Sequence, residues 1–586
     1  MAEFQSLVDL FEKSCEAYAG NELFGTKKAS GWQWITYGEF KSLVDRFRGG
    51  LAALGVGPGD RVGIVADNRV EWAVAAYATY GLKAQFVPMY QAQKPTEWAF
   101  ILGDSEAKVV IGATKVIAEQ LRGLELEGIQ AVISMEGGPD EEHSFEATLA
   151  AGEASPVEAQ HPESADLAGF IYTSGTTGKP KGVKLSHGNI CSNVNGIHAL
   201  FTFDPTDRSL SFLPWAHSFG QTCELHGLLS MGSSMAINDE IPNLVGNLSD
   251  VKPTILFAVP RIFNRIYDGV NKQMAERGGM VKSLFEAGIA AAAKKGEGQS
   301  LGFFEGLQHT VADKLVFSKV RDRFGGRLKY AISGSAALNR DVAKFIDALG
   351  IDVFEGYGLT ETSPIATANY PGHAKIGSVG KPIPGVRIVI DKIIEGDTEN
   401  GEILVYGPNV MQGYHNREDE NAKVLMEDGG FRTGDMGRID DTGYVYITGR
   451  IKEQYKLENG KYVVPSPLEE ELKLSPLIGN VMLYGMNKPF NVVLVVPDAL
   501  ALEAWCKDNG VDFATAHTNE KVVQLITDEI ANHSKSFKRY ELPKKVLLSN
   551  EEFSTENGML TPTLKLKRRI VLKQYGDQIE ALYAKS

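Results

Sequence analysis

Residues 172–182, YTSGTTGKPKG, concentrate four Ser/Thr hydroxyls, three glycines and two lysines in eleven positions, directly after the apolar run 167–171. Hydroxyls and backbone amides donate hydrogen bonds to phosphate oxygens, glycines let the chain approach an anion closely, and ammonium groups neutralise its charge. A polyphosphate is the ligand this mixture suits, with Thr173, Ser174, Gly175, Thr176, Thr177, Gly178, Lys179 and Lys181 as its candidate partners. The loop is not a Walker A loop, which has four residues between its glycines and Ser or Thr after the lysine. Here two residues separate Gly175 from Gly178, and Pro180 follows Lys179. Pro180 resists immediate entry into a helix, so the pattern predicts strand, loop and return strand, the last over 182–186. The bland alternative for such a composition is a solvated flexible loop.

Four other stretches carry residue types suited to the same ligand. In 354–362, FEGYGLTET, a strand ends in two glycines and then presents Thr360 and Glu361. A threonine hydroxyl donates to a phosphate oxygen, and a carboxylate holds Mg²⁺, which bridges phosphates. In 331–338, AISGSAAL, a strand runs into a turn of small side chains against which a flat purine can lie. In 431–435, FRTGD, Asp435 follows a glycine turn and suits two ribose hydroxyls, although turn aspartates are common. In 213–220, LPWAHSFG, His217 sits among aromatics; a lone histidine is more often structural than catalytic.

These groups need a scaffold. The first hundred or so residues alternate helix and strand as an α/β domain does. Apolar spacing predicts helices over 40–54, 72–82 and 260–274, and strands over 61–66, 84–89 and 109–112. Residues 280–319 read as an inserted helical segment broken at 296–298. Composition shifts near residue 450, after which a strand pair over 480–484 and 491–496 is predicted, joined by a turn at 487–489. The expected division is 1–449 and a smaller α+β unit, 450–586.

The chain has 586 residues and a formal charge of −14, which argues against a nucleic-acid-binding surface. Cys15, Cys191, Cys223 and Cys506 form no CxxC pair and fit buried structural roles in a reduced compartment. The N-terminus lacks a basic segment followed by a long apolar core, and no run reaches the ~18 apolar residues of a spanning helix. A cytoplasmic location is expected, with peripheral contact at the inner face of a membrane left open.

The motifs, taken in order, resemble those of the adenylate-forming superfamily: acyl-CoA synthetases, luciferases and peptide-synthetase adenylation domains. The resemblance covers nearly the whole chain. It implies a large N-terminal domain of β-sheets packed with helices and a smaller, mobile C-terminal domain. It further implies Thr360 at the α-phosphate, Glu361 as magnesium ligand, and Tyr357, with Glu355, Gly356 and Gly358 of the same motif, at the nucleotide. Gly334, Ser335 and Ala336 become adenine contacts and Asp435 the ribose ligand, with Arg450 supporting ribose or phosphate and His217 steadying the acid carboxylate or gating its pocket. The basic run 561–569, TPTLKLKRR, would ordinarily be a solvated face. It resembles the family's final motif, whose lysine aligns with Lys565. Thr563 and Leu564 replace the common Ser-Gly before that lysine, a departure shared with long-chain fatty acyl-CoA synthetases. The hinge matches Lys452, and Lys456 and Gly460 lie in the segment expected to meet coenzyme A.

The implied reaction has two steps: a carboxylate attacks the ATP α-phosphate to give acyl-AMP and pyrophosphate, then coenzyme A gives acyl-CoA and AMP. The first step brings two anions together, and a fixed ammonium at Lys565 offsets their repulsion. Residues 259–265, the helical insert and 312–319 resemble long-chain fatty acid–CoA ligases more than acetate or aryl-acid enzymes. The small-molecule partners expected are therefore a fatty acid, ATP with Mg²⁺, and coenzyme A; the sequence leaves oligomeric state open. Three alternatives remain at this stage: a fatty acyl-AMP ligase that loads a carrier protein, a CoA ligase for a shorter or aryl acid, and a non-catalytic nucleotide-binding regulator.

Overall fold

The computed structural model of the protein describes residues 3–173, 179–296, 299–392, 399–561 and 564–584. Short βα units at the N-terminus pair in parallel, because each helix returns the chain to the same sheet edge. One sheet runs in the order Ala131–Ser134, Val109–Gly112, Arg61–Val65, Gln85–Met89, Leu167–Thr173 and Lys181–Ser186. Its first five strands are parallel and the last is antiparallel.

A second, nine-stranded sheet has a parallel centre in the order Asp352–Gly358, Tyr330–Ser333, Ile255–Ala258, Arg208–Ser211, Ser234–Ile237 and Glu22–Lys28. Antiparallel strands complete both of its edges. Strands of both sheets share one large apolar cluster, and the nine-stranded sheet also packs Leu210, Leu256 and Ala331 into a second one with Phe263, Phe317 and Phe345. A four-stranded antiparallel meander follows, from Arg387–Asp391 through Gly401–Tyr406 and Phe431–Ile439 to Val445–Arg450.

The expected helices and strands of the first 300 residues are present with shifted ends. The helix predicted over 40–54 begins earlier, at Tyr37, because Thr36 and Glu39 cap each other's backbone N–H groups. Residues beyond 450 make apolar clusters of their own, one on Tyr455, Leu483, Val493 and Ile526, another on Met482, Leu494, Val571 and Ile579. Their strands, Ile478–Tyr484 and Asn491–Pro497, pair antiparallel as the sequence predicts, with Pro543–Leu548 added in parallel. Leu474 packs against the core of the larger unit, and Asn339 Nδ2 donates to Glu471 across the junction at 2.8 Å. At Gly449 an added Cβ would lie 2.2 Å from Val464 Cγ1, so the two parts seat closely there. All four cysteines are free and buried. Among the described residues no helix is long and apolar enough to cross a membrane.

One close approach shapes the nucleotide motif directly. Gly358 pairs with Ile365 across the antiparallel edge, and a Cβ on Gly358 would fall 1.7 Å from Pro364 O. That hairpin carries Thr360 and Glu361 between its strands. Gly358→Ala is expected to destabilise the fold by about 1–3 kcal/mol through this overpacking. Urea denaturation followed by intrinsic fluorescence should show it, and an unchanged midpoint would refute the close packing.

Candidate active site

The phosphate-type loop is suspended between two paired strands, with Thr173 opposite Lys181. Ser174, Gly175, Thr176, Thr177 and Gly178 lie outside the described residues. The flanks are well anchored. Lys179 Nζ stands 5.2 Å from the Phe100 ring centroid. Lys181 Nζ pairs with Glu420 at 2.9 Å and lies 4.5 Å over the Tyr414 ring. Hydrogen bonds donated by Lys423 and Lys181 hold the Glu420 carboxyl down at about 2.

The return strand's free edge is closed by the segment 411–415. Lys184 N–H donates to Gly413 O, Gln412 N–H to Lys184 O and His415 N–H to Gly182 O, at 2.9, 3.0 and 2.8 Å. Met411 N–H then donates to Glu361 O at 3.0 Å, and Tyr414 Oη to Glu361 Oε1 at 2.8 Å. Main-chain bonds therefore fix the lysine strand and the Thr360–Glu361 turn to one another. Neither Tyr414 nor Glu420 was apparent from sequence, because no local spacing links them to the motifs they support.

Thr360 is buried, and its Oγ1 lies 3.3 Å from Ser218 Oγ, the residue after His217. Gly334 sits against the Phe219 ring, 3.2 Å from where its Cβ would be. Ser335 takes a left-handed φ of 71°, and Ser335 and Ala336 are exposed at the strand end as a purine platform requires. Glu355 faces inward instead. Its Oε1 accepts Leu338 N–H at 3.0 Å, bracing that turn, and burial pushes its carboxyl up to about 7. Gly356 lies in the same strand, opposite Ala368.

Antiparallel register places Asp435 directly across from Arg450. Asp435 Oδ1 pairs with Arg450 Nε at 3.0 Å, and its Oδ2 accepts Tyr357 Oη at 2.9 Å. Burial raises the Asp435 carboxyl, against the pull of Arg450, Tyr357 and Lys565. Lys565 reaches this group from the far end of the chain, on a turn closed by Thr561 N–H to Lys565 O at 2.8 Å and Lys565 N–H to Thr561 Oγ1 at 2.9 Å. Leu564 makes the turn with a left-handed φ of 60°. The Lys565 side chain is exposed to the crevice yet ringed by protein. Desolvation, then the Arg450 charge, lowers its ammonium, while Asp435, Glu361 and Glu453 favour the charged form.

His217 accepts Phe219 N–H on Nδ1 at 3.2 Å. Burial, with a smaller contribution from Lys565, lowers its imidazole to about 3. The neutral ring thus carries its proton on Nε2 and presents a donor. Lys452 is exposed in the turn after Arg450. Lys456 and Gly460 lie apart from this constellation, on the hairpin Tyr455–Lys456 and Tyr462–Val463, whose bonds run to Asn487 and Lys488.

Among the described residues no group of three or more His, Cys, Asp or Glu could enclose a metal ion. Glu361 offers one carboxylate. Mg²⁺ takes one or two carboxylates and completes its shell with water and substrate phosphate, so this donor set fits a metal that arrives with a nucleotide.

Comparison with known proteins gives the arrangement its class. The fold is that of the adenylate-forming enzymes. It matches the adenylation domain of a carboxylate reductase from Mycobacterium chelonae with a TM-score of 0.81 at 22% identity, over 99% of this chain and 91% of that one. The anthranilate CoA ligase AuaEII in complex with anthranoyl-AMP matches with a TM-score of 0.74 at 22% identity, over 99% of both chains. Residues 11–415 match the family described as AMP-binding enzyme, and 452–586 match its C-terminal domain. The chain belongs to the AMP-binding enzyme family. Among curated relatives, long-chain-fatty-acid–CoA ligase FadD15 of Mycobacterium bovis is 32% identical, over 94% of this chain and 93% of that protein. The peroxisomal long chain acyl-CoA synthetase 7 of Arabidopsis thaliana is 31% identical, over 99% and 87%.

The neutral His217 ring has a direct spectroscopic signature. Ring ¹⁵N spectra, with His217 identified by its loss in His217→Gln, should show the Nε2-protonated form unchanged from about pH 8 to about pH 5. Titration near its ordinary pKa of about 6.5 would contradict the assignment.

Proposed function

We propose that this chain is an AMP-forming acid–thiol ligase that converts long-chain fatty acids to acyl-CoA. The carrying observation is identity of about one third, across nearly the full chain, to proteins named for that activity. The convergence of Glu361, Asp435, Arg450 and Lys565 on one crevice supports it independently.

In the first half-reaction a carboxylate oxygen of the acid forms a bond to the ATP α-phosphorus, and the bond to the bridging oxygen breaks, releasing pyrophosphate. Lys179 and Lys181 flank the loop for the departing phosphates. Lys181 must exchange Glu420 for phosphate oxygen, which keeps its charge compensated throughout. Asp435 takes the ribose hydroxyls and Arg450 stays beside it, while Thr360 donates its hydroxyl to the α-phosphate. The turn at Gly334, Ser335 and Ala336 receives the adenine, with Tyr357 stacking on it. Glu361 would hold Mg²⁺, which supplies charge neutralisation of the phosphates when bound. His217 donates an Nε2–H hydrogen bond to the acid carboxylate, which stays ionised. Lys565, near both Arg450 and the acidic groups, offsets the repulsion as the two anions meet.

In the second half-reaction the coenzyme A thiol gives up its proton to solvent, its sulfur bonds to the acyl carbon, the acyl carbon–phosphate oxygen bond breaks, and AMP leaves. We place a hinge near Lys452, at the junction expected near residue 450. Rotation there withdraws Lys565 and brings the hairpin with Lys456 and Gly460 towards the acyl-adenylate.

Lys565→Ala should lose adenylation by about 10²–10³ and keep thioester formation from supplied acyl-AMP. Stopped-flow assays of the two half-reactions separate these, and equal loss of both would refute the division. The acid itself is tested by CoA-dependent AMP release across acids from acetate to oleate. Burial of each methylene contributes about 0.8 kcal/mol in an apolar tunnel, so kcat/KM should rise with chain length. Preference for acetate or an aryl acid would overturn the long-chain reading, and acyl-AMP formation without acyl-CoA would indicate a carrier-loading enzyme.

A further inference from the structure

The inserted helices take no part in the site above. Helix Gly279–Gly296 packs against Phe303–Ala312, which continues through the π-helix Asp313–Phe317 into Ser318–Arg323. Ala312, Val316, Phe317 and Val320 face inward and are buried, with Phe317 meeting Phe285 edge to face. The opposite side is also apolar. Phe303 is 84% exposed, Phe304 76%, Leu307 53% and Leu315 56%. At 100° per residue these four, with the half-buried Val311, fall within an arc of about 120°. A helix needs one apolar face to pack on a core; a second one turned to solvent marks a surface for something else.

The charge around the stripe limits what that is. The chain carries −14 overall, but residues 260–329 hold thirteen Lys and Arg against seven Asp and Glu. On these helices Lys282 and Lys294 are exposed and pair with Glu286 and Glu305, while Arg261, Arg265 and Lys272 are exposed on the preceding helix Pro260–Arg277. Lys314 and Lys319, beside the stripe, are exposed and make no salt bridge among the described residues. A second copy seated on the stripe would set one cationic surround against another. An anionic lipid surface satisfies both features: aromatic and aliphatic side chains enter the acyl boundary, and lysines meet the headgroup phosphates.

We propose that the stripe Phe303, Phe304, Leu307 and Leu315, with its lysines, is a docking surface for an anionic membrane. The chain would lie on the bilayer by this one face. The inference is independent of which acid the enzyme activates, because vesicle binding can be read without any substrate.

The full-length protein should co-sediment with vesicles of phosphatidylcholine containing roughly one third phosphatidylglycerol, less with phosphatidylcholine alone, and less again at high salt. Phe303→Ser with Phe304→Ser should weaken vesicle affinity by about tenfold or more. Lys314→Glu with Lys319→Glu should abolish the preference for anionic vesicles. Both double variants should melt as the parent does and turn over a soluble medium-chain acid at the parental rate in vesicle-free buffer. Parental binding that ignores anionic lipid, or variants that bind like the parent, would overturn the proposal. So would a dimer in light scattering that Phe303→Ser with Phe304→Ser converts to monomer while vesicle binding stays intact, since the stripe would then belong to a second copy. Failure of the acid panel with vesicle binding preserved would sink the substrate reading alone.

Discussion

Two cations held beside three carboxylates in one crevice set the terms for everything around them. The arginine charge lowers the lysine, while Asp435, Glu361 and Glu453 favour the charged form of both. Charges in a partly desolvated cleft interact more strongly than on an open surface. The balance therefore requires each group to be held from a different direction. The meander supplies Asp435 and Arg450 in register, the antiparallel edge of the large sheet supplies Glu361, and the C-terminal unit supplies Lys565.

The flanks of the loop before Lys179 are tied down by backbone bonds as well as by the side chains of Lys179 and Lys181. Strand Lys181–Ser186, the segment 411–415 and the Glu361 turn share a continuous run of main-chain bonds. Such bonds do not change with ligand charge, so relative positions persist while side chains such as Lys181 exchange partners. The buried histidines and glutamates nearby sit at the opposite extreme. His217 is neutral because burial disfavours its cation, and Glu355 is raised because burial disfavours its anion.

Much of this was legible in the sequence where a motif and its element coincide. The strands flanking the 172–182 loop and the small-residue turn after Tyr330–Ser333 follow from short-range patterning, whereas Asp435 and Arg450 entered through the family resemblance and their cross-strand pairing did not show in the sequence. The supports were not legible. Tyr414 meets Glu361, and Glu420 meets Lys181 across 239 residues, through an edge pairing that no local period announces. Glu355 shows the converse limit: it belongs to the nucleotide motif by sequence, yet its carboxylate turns inward to brace Leu338. Helix ends drifted for a local reason, as when the Thr36–Glu39 box drew a helix start forward to Tyr37. In the insert, helix Gly279–Gly296 is followed by Phe303–Ala312, with Glu297 and Gly298 of the expected break outside the described residues, and the second run continues through the π-helix Asp313–Phe317.

Gly449 illustrates how an absent atom can govern chemistry some distance away. Val464 occupies the space that a side chain at 449 would need, immediately before the strand ends at Arg450. Any larger residue there would act as a wedge at the seam, tilting the unit that carries Lys565 away from Asp435 and Glu361. The fault would look catalytic and be mechanical in origin. Tolerance to substitution at this position therefore gauges how flush the two parts of the chain must sit, a geometric specification written in no motif.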